Sequence, residues 1–210
     1  MLSDRFHSVA GQGRLAATGL GATKDDMGMT VKGTAFLARR NSLDGKLASL
    51  EVEALLEELA QTHPVFGRPI LASTLIPVRA FIAFNDLLID RHYGGVSKTY
   101  WRFGQESAAF ALAGPYKNLV RDRDRDAYAQ TVSTAWKVYY SHGRAEGSWH
   151  DDVFRYRIED VPVHHVYFEY TACGWVEQGL ELIGEKARRT ICLAGYGRGD
   201  RRVQYDFYCG

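Results

Sequence analysis

Leucines at Leu47, Leu50, Leu55 and Leu59 recur at helical spacing, with Glu51, Glu53, Glu57 and Glu58 mostly off that stripe. The pattern predicts an amphipathic helix that stops before Pro64, whose ring removes an N–H donor and disfavours helix at His63. Upstream, Val31 to Arg39 is apolar at Val31, Ala35 and Leu37 and predicts a strand, punctuated by Asn41-Ser42-Leu43-Asp44-Gly45. Downstream, Ile70 to Leu75 is short and apolar, Pro77 suits a first helical turn, and Val78 to His92 predicts a second helix carrying Phe81, Phe84, Leu88 and Ile89. Tyr93-Gly94-Gly95 closes it. Ser97 is placed to cap a third helix through Trp101, Phe103, Ala108, Phe110 and Leu112, ending at Gly114-Pro115.

Arg121 to Asp126 alternates in charge and reads as a solvated helix start. Tyr128, Val132, Ala135, Trp136, Tyr139 and Tyr140 then give one helix an aromatic face that ends at His142-Gly143. From there the period changes to two. Arg144 to His150 and Val153 to Asp160 flank Asp151-Asp152 as a hairpin, with Phe154, Tyr156 and Ile158 on one face. A helix from Tyr170 to Gly184 follows Pro162. Two strands, Ala187 to Tyr196 and Arg201 to Tyr208, are joined by the turn Gly197-Arg198-Gly199-Asp200. The fold class expected is α+β: an antiparallel sheet of about four to five strands packed by several helices, with a β-α-β-β unit at the C-terminal end. Met1 to Thr30 has little apolar periodicity and is expected to be a flexible arm; residues 31–210 are expected to form a single ligand-binding-like domain.

The formal net charge of +1 over 210 residues gives no global field for nucleic acid or an anionic membrane. Apolar runs fall short of a membrane span, and Arg5, His7, Gln12 and Arg14 interrupt any signal-peptide core. Cys173, Cys192 and Cys209 make an odd number, which favours reduced thiols and a cytoplasmic setting over a disulfide framework.

Catalytic patterns are missing. Ser107, Ser133 and Ser141 lack the context of a nucleophile elbow, Gly197 to Asp200 joins two strands rather than opening a helix, and Gly19-x-Gly21 has no phosphate-loop lysine. His142, His150, His164 and His165 read as surface histidines and helix-cap neighbours; His164 and His165 are adjacent and point to different faces. The aromatic residues form the candidate site: Trp101, Trp136, Tyr139, Tyr140, Tyr170 and Trp175, joined by Cys173. Their rings suit the walls of an apolar ligand cavity in which hydroxyl and indole N–H groups orient a polar head, and they suit plain core filling equally well.

The stretches Val31-Lys32-Gly33-Thr34-Ala35, Tyr93-Gly94-Gly95, Phe103-Gly104-Gln105-Glu106-Ser107-Ala108, Trp136-Lys137-Val138-Tyr139-Tyr140 and Cys173-Gly174-Trp175-Val176-Glu177 occur in an order and spacing that resemble the four-vinyl-reductase and TRAPP-subunit superfamily, in particular a myxobacterial paralogous group of uncharacterised proteins. The resemblance implies a hydrophobic ligand cavity or a dimer interface. It also implies a comparison with the zinc site of the phenol-sensing members: Cys173 and Cys192 match two of its cysteines, but Arg189 and Asp200 stand at the Glu and last Cys positions. A guanidinium is no metal ligand, so no zinc and no other cofactor is expected beyond a small hydrophobic ligand.

The function expected is therefore a non-enzymatic regulatory or sensory domain. It would bind a small hydrophobic or aromatic molecule internally and signal through a homodimer or a partner protein, without nucleic acid or membrane insertion. The alternative is a protein–protein interaction scaffold like the TRAPP subunits, with no obligatory ligand.

Overall fold

The computed structural model describes residues 28–114, 117–120 and 124–210, so most of the expected N-terminal arm and part of the charged stretch at 121–126 lie outside the described residues. Among the described residues the architecture is α+β: six α-helices, a four-stranded antiparallel sheet and a small two-stranded one. Strand β1 (Thr30–Lys32) pairs antiparallel with β2 (Leu75–Pro77), with Val31 opposite Ile76 and both fully buried. Met29, just before β1, is also buried, and its carbonyl accepts from Val78 N at 2.9 Å.

Helix α1 (Gly33–Leu43) occupies most of the span expected to be a strand. Its buried positions Phe36, Arg39 and Leu43 follow helical spacing, and this outweighs the weak alternation of Val31, Ala35 and Leu37. Gly33 begins the helix against the chain at Leu71: a Cβ there would sit 2.0 Å from the Leu71 carbonyl oxygen. Helix α2 (Ser49–Ala60) buries Val52, Leu55 and Leu59, and Glu51 reaches back to Ala48 N at 2.8 Å. Leu50 stands on the solvent side, 78% exposed, so the buried stripe is narrower than the leucine spacing predicts.

Helix α3 (Val78–His92) has the expected bounds and buries Phe81, Phe84, Leu88 and Ile89. Helix α4 (Thr99–Ala113) starts two residues past Ser97, with Lys98 at the cap position. Helix α5 (Arg125–Tyr139) is capped by Asp124, whose carboxylate accepts from Asp126 N and Ala127 N, satisfying two amides left without helical partners.

Strands β3 (Arg144–His150) and β4 (Val153–Glu159) form the expected hairpin, with Asp151 at φ 53° in the turn. Helix α6 (Val166–Leu182) crosses to β5 (Ala187–Ala194) and β6 (Val203–Cys209), and the sheet order is β3-β4-β6-β5. Helix α6 begins four residues earlier than Tyr170 because His165 caps it: the imidazole Nδ1 accepts from Tyr167 N at 3.1 Å. On the buried face of the sheet Phe154 opposes Phe207, Tyr156 opposes Tyr205, and Ile158 opposes Val203. Cross-strand pairs of this kind are the unit of sheet stability.

Helices α4 and α6 pack unusually tightly. A Cβ on Gly104 would lie 2.0 Å from the Thr171 carbonyl oxygen, and one on Gly174 would lie 1.9 Å from that of Trp101. Helix α5 lies along β3, where Ser133 Oγ donates to Ala145 O at 2.7 Å and Trp149 Nε1 donates to Arg125 O at 2.9 Å. Among the described residues no helix is long and apolar enough to cross a membrane.

Candidate functional site

An aromatic cavity opens where α1, α3, α4, α5, α6 and β4 converge. Helix α5 presents Val132, Ala135, Trp136 and Tyr139, with Tyr140 just beyond its end; α6 presents Tyr167, Thr171, Ala172, Trp175 and Val176. Both sets follow the i, i+3, i+4 spacing that places side chains on one helix face. Helix α1 adds Ala35 and Arg39, α3 adds Phe81, α4 adds Ser107, and β4 adds Tyr156. As it stands the cavity is smaller than the roughly 300–1,000 Å³ of typical small-molecule sites, so a ligand would have to part its walls. It is narrow, and the centre of a water-sized sphere can travel through only about 60 Å³ of it.

The wall is mostly apolar, but its polar groups are specific. Tyr140 and Tyr167 share a hydrogen bond between their hydroxyls at 2.8 Å. Burial pushes the Tyr140 phenol well above its ordinary range and the Tyr167 phenol to about 12, so both are held protonated. Tyr167 also stands edge-on to Phe81 and Tyr100, which fixes its ring. Trp136 and Tyr140 lie close, with ring centroids 4.4 Å apart, and the Trp136 indole N–H donates to His142 O at 3.1 Å.

Arg39 is the charged member, only 4% exposed. Its guanidinium lies 3.7 Å over the Phe103 ring, donates from Nε to Asn85 Oδ1 at 3.3 Å and from Nη1 to Ser42 Oγ at 3.1 Å, and stands 3.7 Å from Glu106 Oε2. Burial lowers its pKa to about 10, against the raising influence of Tyr167 and Glu106. Two polar atoms of lining residues, Trp175 Nε1 and Thr171 Oγ1, are buried and make no hydrogen bond among the described residues.

Behind the cavity lies a second polar chain. The Tyr100 hydroxyl donates to Asp86 Oδ1, and His165 Nε2 lies 3.5 Å from Asp86 Oδ2. Burial raises the Asp86 carboxyl and lowers the His165 imidazole, the latter against the Asp86 charge.

Of the residues singled out from the sequence, Trp136, Tyr139, Tyr140 and Trp175 line the cavity together. Trp101, Tyr170 and Cys173 lie elsewhere. The Trp101 indole N–H donates to Glu177 Oε2 at 2.7 Å, and its ring packs near Tyr205 and Phe207 of the sheet. Tyr170 approaches Gly197 beside the β5–β6 connection. Cys173 is fully buried, and burial, reinforced by Glu169 and Cys192, pushes its thiol well above the usual range. Cys192 Sγ is 4.0 Å from Glu169 Oε1, and Glu169 also accepts from Gly197 N at 2.9 Å and from Tyr205 Oη at 2.5 Å. The sequence reading passed over Arg39, Phe81, Tyr167 and Thr171. The series Tyr167–Thr171–Trp175 is a plain i, i+4 stripe once α6 is started at Val166; Arg39 carried no signal, since its segment read as strand.

No family model matches this chain, and no curated protein does. Solved structures do. An H-NOX protein from Shewanella oneidensis in the Fe(II)NO ligation state superposes with a TM-score of 0.64 at 12% identity, covering 85% of this chain and 99% of that one. An Fe(II) unliganded H-NOX protein from K. algicida gives 0.65 at 9% identity, covering 85% and 96%. A structure from a study of heme distortion in the H-NOX family gives 0.57 at 12% identity, covering 84% and 94%.

These matches correct two expectations. The resemblance to the four-vinyl-reductase and TRAPP-subunit superfamily gives way to H-NOX proteins as the structural neighbours. The expectation of no cofactor gives way because those neighbours are heme proteins. Short motifs in order misled here because at such low identity the shared information is the packing of elements, which local strings carry poorly. The chain therefore has the α+β fold of the H-NOX proteins.

Proposed function

We propose that this chain is a non-enzymatic sensory domain that binds a small hydrophobic or aromatic molecule in the cavity between α1, α5 and α6 and signals through dimerisation or a partner protein. The observation that carries the reading is the pair of buried, unpartnered polar atoms, Trp175 Nε1 and Thr171 Oγ1, in an otherwise apolar aromatic wall. Leaving a buried donor unsatisfied costs about 1–3 kcal/mol, and a ligand bearing an acceptor removes that cost. The H-NOX fold supports the sensory part of the reading. Output follows from linkage: a ligand shifts a conformational or assembly equilibrium by its differential affinity for the two states.

Heme is the molecule that the fold brings forward, and the lining tests it. Heme iron is held by an axial His, Cys, Met or Tyr. Among the lining residues there is no His, Cys or Met. His165 is the nearby imidazole, and it is engaged through Nδ1 as the α6 cap and faces Asp86 through Nε2. The phenols of Tyr140 and Tyr167 bond to each other and are held protonated by burial. Burial likewise holds the Tyr156 phenol protonated. As arranged, His165, Tyr140, Tyr156 and Tyr167 do not supply an axial ligand, and the narrow slot does not admit a porphyrin without repacking.

Native mass spectrometry of the purified protein, repeated after denaturation and after incubation with hemin, tests both points. Extra mass that leaves on denaturation supports the binding role, and its value identifies the ligand. A stoichiometric hemin adduct with a sharp Soret band would overturn the assignment of the cavity to a smaller molecule. A bare dimer that takes up nothing from a panel of hydrophobic compounds would overturn the sensory reading in favour of a scaffold.

A further inference from the structure

The cavity's polar groups are lopsided. Its lining contains no carboxylate, no side-chain amide and no imidazole; the hydroxyls of Ser107, Tyr139, Tyr140, Tyr156 and Tyr167 can donate or accept, whereas the Trp175 N–H can only donate and Arg39 supplies a cation. Thr171 adds a hydroxyl with no partner among the described residues. The imbalance continues behind the wall. The carboxylate beside Arg39 is Glu106, and that group also receives Lys46 Nζ at 2.7 Å and stands 3.9 Å from Arg102 Nε. One carboxylate thus serves three cations, and its oxygen facing Arg39, at 3.7 Å, makes no hydrogen bond among the described residues. Asn85 and Ser42 take two of the guanidinium's five N–H groups. Beyond these, the Phe103 ring beneath it and Glu106 at 3.7 Å, Arg39 is a buried cation with no close carboxylate among the described residues, an arrangement that an anion would complete.

We infer that the cavity recognises an apolar acid: a molecule whose carboxylate meets Arg39 while its aryl or alkyl body lies among Phe81, Trp136 and Tyr140. This rests on the cavity-binding role proposed above and adds the chemistry of the head group. A carboxylate matches the planar fork of a guanidinium. The slot's narrowness favours a flat or extended body over a bulky one.

The test is a fluorescence titration, following the cavity tryptophans, with naphthoate and decanoate, each set against its own primary amide. Each acid is expected to bind at least tenfold more tightly than its amide. In Arg39→Met that preference is expected to vanish while the amide affinity stays within threefold. If Arg39→Met fails to fold, the ratio of acid to amide affinity in the unaltered protein decides alone. Acids and amides that bind equally would overturn the acid head group and leave the cavity-binding role standing. Failure of all four compounds to bind would overturn both.

Discussion

Gly174 on α6 lies so close to Trp101 on α4 that a methyl group there would stand 1.9 Å from the Trp101 carbonyl oxygen. The opposing atom is backbone, so it cannot swing aside as a side chain would. Gly174→Ala is expected to cost about 1–3 kcal/mol, the range for overpacking, and Gly104→Ala a similar amount through its contact with Thr171. The two replacements push the same helices apart, so the double variant should cost less than the sum. Urea unfolding of the three variants measures this; a Gly174→Ala change below about 0.5 kcal/mol, the scale of an ordinary surface substitution, would show that the contact is looser than described.

Trp175→Phe separates binding from stability. It removes a buried N–H that has no partner among the described residues, so the ligand-free protein should be unchanged or stabilised, by up to about 1–3 kcal/mol. The same change removes a donor from the cavity and should weaken ligand binding. Thermal unfolding and titration on one sample check the pair of effects. A strongly destabilised ligand-free variant would mean that the indole N–H has a partner after all.

His165 gives a dependence on pH with a definite sign. Burial lowers its pKa below the ordinary 6.5, so the unfolded chain binds more protons around that value than the folded one. The stability it contributes is complete above about 6.5 and is lost as pH falls from there through the lowered folded value. Protonation at Nδ1 also ends its acceptance from Tyr167 N. His165→Asn keeps a capping acceptor and removes the titration, so its stability should vary less with pH across this window. Chemical denaturation at a series of pH values checks it; equal slopes in the two proteins would exclude His165 as their source.

Trp136 is 4% exposed and packs on Tyr140 and Phe168. Trp136→Ala is expected to cost about 3–5 kcal/mol, the usual range for truncating a buried aromatic residue. Affinity per folded molecule, measured well below the melting temperature, then reports its part in the cavity wall. An unchanged affinity would make it a core residue alone.

The sheet was the legible half of the fold. The hairpin at Asp151-Asp152 announces itself by its turn chemistry and by the alternation of β4, whose Phe154, Tyr156 and Ile158 share one buried face. The helix over 33–43 was not legible. Phe36, Arg39 and Leu43 place a charge in the middle of the buried stripe, and a buried arginine is invisible to a reading that counts apolar positions. The cavity inherits that blind spot. Its aromatic wall on α5 could be anticipated from Trp136, Tyr139 and Tyr140. Its cation could not, and neither could the cap that extends α6 back to Val166, since His165 serves as an acceptor only in one tautomer and one backbone setting. Trp101 and Cys173 illustrate the converse limit: residues of a suitable type on suitable helices that face the sheet.

Thr171, like Trp175, belongs both to the cavity wall and to the α4–α6 contact. Its side chain lines the cavity, while its carbonyl oxygen closes on Gly104. With Gly174 locked against Trp101 one turn further on, α6 has no clearance in which to slide or rotate alone. In mechanical terms α4 and α6 are one beam. Under the proposed binding role, a molecule that displaced the wall at Thr171 would be expected to move both helices together.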